Sequence, residues 1–251
     1  MRTTTYLGLI LGIAVVYYAV LANGGDASMF TNVVALLIAL GGTIAATTLS
    51  SSMQTGIHAA SAFMKMFLTG TMPAKALATE LVQLARQAKV HGYASLDPEN
   101  LSTKDPFLAK GMRLVADGVE PPRIEELLRL ESEILSEKRA AAERMFRLMG
   151  TYSPMFGLVG TLIGLINMLK GLTDPRAIGQ GMSVALMATF YGVLLAGLIF
   201  LPLAGKVRTL ELDERLQRDQ IIAALLAMRL GQNPESIRET IEAFSGTGTA
   251  G

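Results

Sequence analysis

The sequence lacks several side chains on which common functional sites depend. Its 251 residues include no cysteine, no tryptophan and only two histidines, His58 and His91. Without cysteine the chain has no disulfide framework and no thiolate zinc or iron–sulfur site. Two histidines far apart in the sequence do not suggest a metal site either. We therefore predict no metal centre and no resident cofactor.

Charge is also scarce, and it is nearly balanced. Asp, Glu, Lys and Arg make up 17% of the residues, whereas average proteins carry about 25%. The formal net charge is +1, so the composition gives no electrostatic argument for binding nucleic acid. The sequence has no catalytic Ser/His/Asp grouping, phosphate-binding loop or HExxH pattern, and we predict that the protein is not an enzyme.

Four long runs contain no charged residue at all, namely Thr3–Gly25, Ala27–Met64, Leu148–Leu169 and Ala177–Gly205. Each exceeds the roughly 20 residues that a helix needs to cross a bilayer. A segment in lipid must satisfy its own backbone hydrogen bonds, which favours helices. The runs predict an all-α polytopic membrane protein with four transmembrane helices and a helical cytoplasmic domain. An alternative for the first run is a signal peptide cleaved after Ala22.

The positive charges indicate the orientation in the membrane. Of the 22 lysines and arginines, only Lys170 and Arg176 lie between the third and fourth runs, and none lies between the first and second. Positive charge is retained on the cytoplasmic side, so both termini and the large central loop are predicted to be cytoplasmic. The predicted domains are a transmembrane hairpin at 1–50, a cytoplasmic helical domain at 51–147, a second hairpin at 148–205, and C-terminal helices with a disordered tail at 206–251.

Local signals predict where the helices begin and end. We expect the second helix to continue past Ser50 into the cytoplasm, because its charge-free run has 38 residues. Asp105 followed by Pro106 is typical of an N-cap and first helical position. A helix that opens at Pro121-Pro122 contains no Gly or Pro from Arg123 to Met149, so it is predicted to run on into the third span.

The third and fourth spans each carry a stripe of small residues. In span three the stripe is Gly157, Gly160, Thr161 and Gly164, and in span four it is Ala185, Ala188, Thr189, Gly192 and Ala196. One interpretation is close helix packing, which small residues permit. The other is a shared ion pathway in which the stripes carry only two hydroxyls, those of Thr161 and Thr189, because a hydroxyl can coordinate a hard cation.

Two further features concern movement and ion coupling. Pro154 and Pro202 are predicted to kink spans three and four at one depth and to act as a paired hinge, or simply as passive kinks. No carboxylate lies inside any span. Because ion-driven machines usually need an ionisable group in the membrane, a partner would have to supply it.

Taken together, these features resemble the MotA/PomA family, the larger subunit of flagellar motor stators. The resemblance covers nearly the whole chain and rests on short strings at the following positions: Gly41-Gly42-Thr43, Ala116-Asp117-Gly118, Pro154-x-x-Gly157-x-x-Gly160-Thr161-x-x-Gly164, Asp174-Pro175, Gly179, Ala188-Thr189-x-x-Gly192, Pro202 and Gly231-Gln232-Asn233-Pro234. It implies a homopentamer in the bacterial inner membrane around two copies of a MotB/PomB-type single-span partner. That partner would carry a membrane Asp and anchor to peptidoglycan, while the cytoplasmic loop would push the rotor switch-complex protein FliG.

The resemblance also implies roles for individual residues. Pro154 and Pro202 match prolines linked to gating and torque. Lys89 stands where relatives usually carry Arg and Asp97 where they usually carry Glu, so we predict rotor contacts there and at the neighbouring Glu99. Lys89 keeps the charge of Arg but not its bidentate geometry.

The identity of the transported ion depends on the threonines. Thr161 matches the sodium-type pattern, whereas Ala188 departs from the Thr-Thr pair of sodium-type relatives. The prediction is Na⁺, with H⁺ as the alternative. The nearest rival function is an ExbB/TolQ-like energy-transducing subunit, which would have three spans. A membrane scaffold without an ion role is a second rival.

Overall fold

The computed structural model describes residues 2–22, 24, 30–52, 56, 73–96, 103 and 105–244. These residues form helices joined by short turns and contain no strand. The predicted all-helical class is therefore confirmed. The helices are α1 Arg2–Ala22, α2 Val33–Ser50, α3 Ala74–His91, α4 Pro106–Ala116, α5 Pro121–Lys170, α6 Pro175–Arg229 and α7 Pro234–Phe244.

Three helices are long and apolar enough to cross a membrane, namely α2, part of α5 and part of α6. The described side chains of α1 add a shorter apolar helix, Leu7–Ala22. Apolar side chains on these helices face outward, including Ile10 at 64% exposure and Leu162 at 61%. Such surfaces are stable in lipid rather than water, so the chain is a membrane protein. The fourth span stays a prediction that rests on α1.

One helix boundary differs from the prediction. Helix α2 does not continue past Ser50, because Ser51 has extended backbone angles, φ −131° and ψ 150°. The hydroxyls of Thr47, Thr48 and Ser50 all donate to carbonyls four residues back. Side chains of this kind compete with the backbone for hydrogen bonds and weaken the end of a helix.

The predicted helix start at Asp105 and the predicted continuous helix from Pro121 are confirmed. The Asp105 carboxylate accepts hydrogen bonds from the backbone N–H groups of Phe107 and Leu108, and Pro106 occupies the first helical turn. Helix α5 runs without a break from Pro121 to Lys170, a length of roughly 75 Å. Helix α6 ends before Gly231, whose φ of +72° stops the helix at little cost. The predicted tail at 245–251 lies outside the described residues.

The chain forms two compact units, and both long helices belong to both of them. One unit draws on residues 1–70 and 139–208, and the other on 71–138 and 209–251. The second unit has the larger apolar core, in which the amphipathic faces of α3, α4 and α7 pack on α5 and α6. Its fully buried large apolar residues are Leu77, Leu81, Leu96, Leu108, Met112, Ile124, Leu128, Ile221, Leu225, Ile237 and Ile241.

Two short stretches of π-helix interrupt the spans, at Leu37–Gly41 in α2 and at Leu195–Phe200 in α6. A π turn holds one more residue than an α turn and recurs near functional sites. The stretch in α6 lies directly before Pro202. There the Leu201 N–H donates to the Ala196 carbonyl, five residues back.

Candidate functional site

The small-residue stripes of α5 and α6 bring the two backbones together. A Cβ atom added at Gly164 would lie 2.5 Å from the Gly181 carbonyl oxygen and 2.6 Å from the Ala185 nitrogen. One added at Gly192 would lie 2.7 Å from the Ser153 carbonyl oxygen. These neighbours are backbone atoms and cannot turn aside, so the helices approach this closely only because glycine stands there.

The remaining stripe residues lie in the same contact. Gly157 faces the Ala188 carbonyl, and Gly160 faces the Ala188 side chain. Ala185 and Ala188 are both almost fully buried, at 3% and 0% exposure. The structure therefore places the five predicted packing residues, Gly157, Gly160, Gly164, Ala185 and Gly192, along one seam.

Thr161 and Thr189 meet across that seam. Their hydroxyl oxygens are 2.5 Å apart, although the residues are 28 positions apart in sequence. The Thr161 hydroxyl also lies 3.1 Å from the Gly157 carbonyl oxygen, and the Thr189 hydroxyl lies 3.3 Å from that of Ala185. Both threonines are partly exposed. The result is a cluster of four oxygens in the middle of the predicted spans.

The two hydroxyls have two protons to donate, whereas the oxygen atoms within their reach can accept more hydrogen bonds than that. Each can donate one hydrogen bond and accept two. If Thr161 donates to Thr189, then Thr189 donates to the Ala185 carbonyl and the Thr161 oxygen keeps its lone pairs. If the direction reverses, Thr161 donates to Gly157 and the Thr189 oxygen keeps its lone pairs. Either direction therefore leaves lone pairs for a cation or an incoming proton donor.

Among the described residues of the spans, three further hydroxyls are buried, and the sequence patterns did not single them out as candidates for the site. Ser153 stands one turn before Gly157, is fully buried, and donates to the Gly192 carbonyl at 2.9 Å. Thr43 and Thr47 of α2 are buried as well and donate to carbonyls of their own helix. Thr161 and Thr189 differ from these three residues in bonding each other and in remaining partly exposed.

The paired hinge at Pro154 and Pro202 stays a prediction, although the two prolines are offset along the helix pair. Gly150 contacts the side chain of Leu201, the residue before Pro202. Pro202 is therefore nearly level with Gly150, four residues before Pro154, which is about 6 Å along the helix. The π stretch before Pro202 accompanies only one of the two prolines.

The predicted rotor-contact residues are only partly described. Lys89 lies near the end of α3 with an exposed side chain, beside a cavity lined in part by Tyr93 and Gln232. The Tyr93 hydroxyl donates to the Met228 carbonyl at 2.8 Å, and the Arg229 guanidinium lies 5.3 Å from the ring centre. Asp97 and Glu99 lie outside the described residues.

Comparison with known proteins extends over the whole chain. The model of the MotA/TolQ/ExbB proton channel family matches residues 99–220. The chemotaxis protein PomA of Vibrio alginolyticus is 32% identical over 248 residues, which cover 99% of this chain and 97% of that protein. This similarity identifies the branch of the family to which the chain is related.

Solved structures have the same fold. A chain of C. jejuni MotAB superposes with a TM-score of 0.89 at 24% identity, and the match covers 97% of this chain and 96% of that one. A chain of the flagellar MotAB stator complex from Bacillus subtilis gives 0.83 at 25% identity, with 94% and 92% covered. The resemblance predicted from the sequence is confirmed, and the chain belongs to the MotA/PomA branch of the MotA/TolQ/ExbB proton channel family, as an ion-channel subunit of the flagellar motor stator and not an enzyme.

Proposed function

We propose that this subunit conducts Na⁺ and uses the sodium gradient to turn the flagellar rotor. The paired hydroxyls of Thr161 and Thr189, with the carbonyls of Gly157 and Ala185, carry the proposal. Neutral oxygens of this kind can replace the hydration shell of a small hard cation. Transport of H⁺ would need only a partner carboxylate that takes up the proton, without a cluster of neutral oxygens. The cluster therefore supports Na⁺ rather than H⁺.

A partner supplies the charge that the spans lack. The apolar parts of α2, α5 and α6 contain no Asp or Glu. The Bacillus subtilis relative is part of a MotAB complex, and a MotB/PomB-type single-span subunit would bring a membrane Asp to the hydroxyl pair. Outward-facing Leu158 and Leu162 of α5 and Leu186 and Val193 of α6, each at least 58% exposed, flank the pair and offer an apolar surface to its helix.

The proposed assembly is five copies of this chain around two copies of the partner. It lies in the bacterial inner membrane with both termini in the cytoplasm, as the lysine and arginine distribution indicates. Lys89, Asp97 and Glu99 then face the rotor protein FliG. One charge that crosses 100 mV releases about 2.3 kcal/mol, several times thermal energy, which is enough to bias one step of the ring.

The test is flagellar rotation speed against external sodium. The chain is expressed with its partner in cells that lack their own stators, at fixed membrane potential and pH. We expect speed to rise with sodium and then saturate. Rotation that is indifferent to sodium but follows the proton gradient would replace Na⁺ by H⁺ in this proposal. Absence of rotation under either gradient, with both proteins in the membrane, would contradict a motor function for this pair.

A further inference from the structure

A buried arginine joins α5 to α6 in the unit formed by residues 71–138 and 209–251. The Arg218 side chain is only 7% exposed. Arginine is almost never so deeply buried without a specific arrangement of partners, because removing its charge from water is costly. No step of ion conduction proposed above uses this residue.

Arg218 binds both helices at once. Its Nε donates to the Ser132 hydroxyl at 3.0 Å, and its Nη2 donates to the Ser136 hydroxyl at 2.9 Å. The same Nη2 donates to the Glu211 carboxylate at 2.8 Å, while Nη1 lies 3.9 Å from the Glu214 carboxylate. The guanidinium thus holds two turns of α5 through one side chain of α6. We call these five residues the arginine layer.

The arginine layer interrupts helix faces that are otherwise apolar. On the side nearer the spans, Ala142 and Phe146 of α5 and Ala204 and Val207 of α6 form one buried apolar cluster. On the other side, Leu128 of α5 belongs to a core with Ile221, Leu225 and Met228 of α6. Along each helix, therefore, apolar contacts are followed by one polar stretch, which in α6 also includes the fully buried Gln220, and then by apolar contacts again.

Stability alone does not explain this layer. Replacement of a buried ion pair by apolar residues of similar size is often neutral or stabilising. The arrangement is also imperfect, because one Glu211 carboxylate oxygen is buried without a hydrogen-bond partner. A single polar layer inside an apolar helix seam has a better attested role, which is to specify the register of the two helices.

We propose that Arg218 is a positioning residue that locks the axial register of α5 against α6. Apolar contacts are non-directional, so the apolar contacts next to the arginine layer distinguish registers one helical turn apart, about 5.4 Å, less sharply than directional hydrogen bonds do. Such a slip would separate Arg218 from both serines. With the register fixed, a displacement of α5 and α6 that begins in the spans would be transmitted along both helices to the residues proposed to contact the rotor, without loss through slippage. This role rests on the proposed motor function.

The first measurement is the helix register itself. The chain has no cysteine, so cysteines introduced at the exposed positions Leu130 and Leu216 can carry spin labels uniquely. Labelled chains are diluted with unlabelled ones in the complex with the partner. We expect one narrow spin–spin distance, and a broadened or second distance in the apolar variant R218M/E211M/S132A. One unchanged distance in the apolar variant would overturn the proposal.

The second measurement separates ion conduction from torque. At normal membrane levels, we expect the ion flux through the apolar variant to stay within twofold of that through the unchanged chain. Its stall torque should be at least fivefold lower. R218K keeps the charge but not the planar fork of the guanidinium, so its stall torque should lie between those of the unchanged chain and the apolar variant. R215M, at an exposed position of the same helix, is the matched control and should keep full torque.

The outcomes separate the lock from the motor function on which it rests. Full stall torque in the apolar variant, or a parallel loss of conduction and torque, would overturn the lock. Failure of the unchanged chain to rotate would instead count against the proposed function, and the spin–spin distances would still decide the register.

Discussion

At the scale of single residues, the site depends on which oxygen atoms have lone pairs to spare. Thr161 and Thr189 share a short hydrogen bond, and each has a carbonyl of its own helical turn as a second acceptor. Removal of either hydroxyl leaves the other with a carbonyl partner. A substitution there is therefore expected to change ion binding more than folding.

We predict that Thr161→Ala raises the sodium concentration for half-maximal rotation by about 10- to 100-fold. The loss of one strong oxygen contact costs about 1.5–3 kcal/mol, and 1.4 kcal/mol corresponds to a factor of ten in affinity. Rotation speed against sodium at fixed potential measures the shift. Thr161→Ser keeps the hydroxyl and should stay within about twofold. An unchanged sodium dependence in the alanine variant would remove Thr161 from the ion pathway.

At the scale of helices, the seam between α5 and α6 is set by the residues that are smallest. Gly164 lies against the backbone of Gly181 and Ala185. The helix axes therefore cannot come closer, and separating them would lose this contact. Without a hydrophobic driving force between helices in lipid, this backbone contact supplies much of the association energy. The threonine pair lies in the same seam and depends on it.

We predict that Gly164→Ala lowers stability by about 1–3 kcal/mol, the usual cost of adding a methyl group to a packed site. The new Cβ would lie 2.5 Å from a backbone oxygen, and the helices would have to separate. Thermal unfolding in detergent, together with membrane levels, measures the effect. Gly205→Ala is the matched control, because its added Cβ has no atom within 4 Å apart from the neighbouring backbone of its own helix. Equal unfolding temperatures for the two variants would contradict the backbone contact.

At the scale of the whole molecule, this chain is one part of an ion pathway. Its apolar spans offer hydroxyls and carbonyls but no carboxylate, the group that ion-driven machines usually need in the membrane. Exposed leucines lie close in sequence to both threonines, and the proposed function assigns this apolar surface to the helix of the partner.

We therefore expect the purified chain alone to leave liposomes tight to Na⁺ and H⁺. The same liposomes should become leaky when the partner is reconstituted with it, and the partner with its membrane Asp changed to Asn should restore tightness. An ion-sensitive dye inside the liposomes measures the flux. Conduction by the chain alone would show that its own oxygen atoms suffice, and it would contradict the need for a partner carboxylate.

Much of this protein follows from its sequence, because the determining forces are local. Charge-free runs longer than a bilayer require helices, a proline after Asp105 starts one, and Gly231 ends another. The absence of a carboxylate from the spans is equally a property of the sequence. These features need no knowledge of what lies across the molecule.

Only the tertiary structure decided how distant residues combine. Two threonines 28 positions apart became one oxygen cluster. In the sequence Arg218 is indistinguishable from a surface arginine, but in the fold it is buried against Ser132 and Ser136, which are 86 and 82 positions away. Both the threonine cluster and the buried arginine depend on the packing of one helix against another, which periodicity along a single helix does not encode.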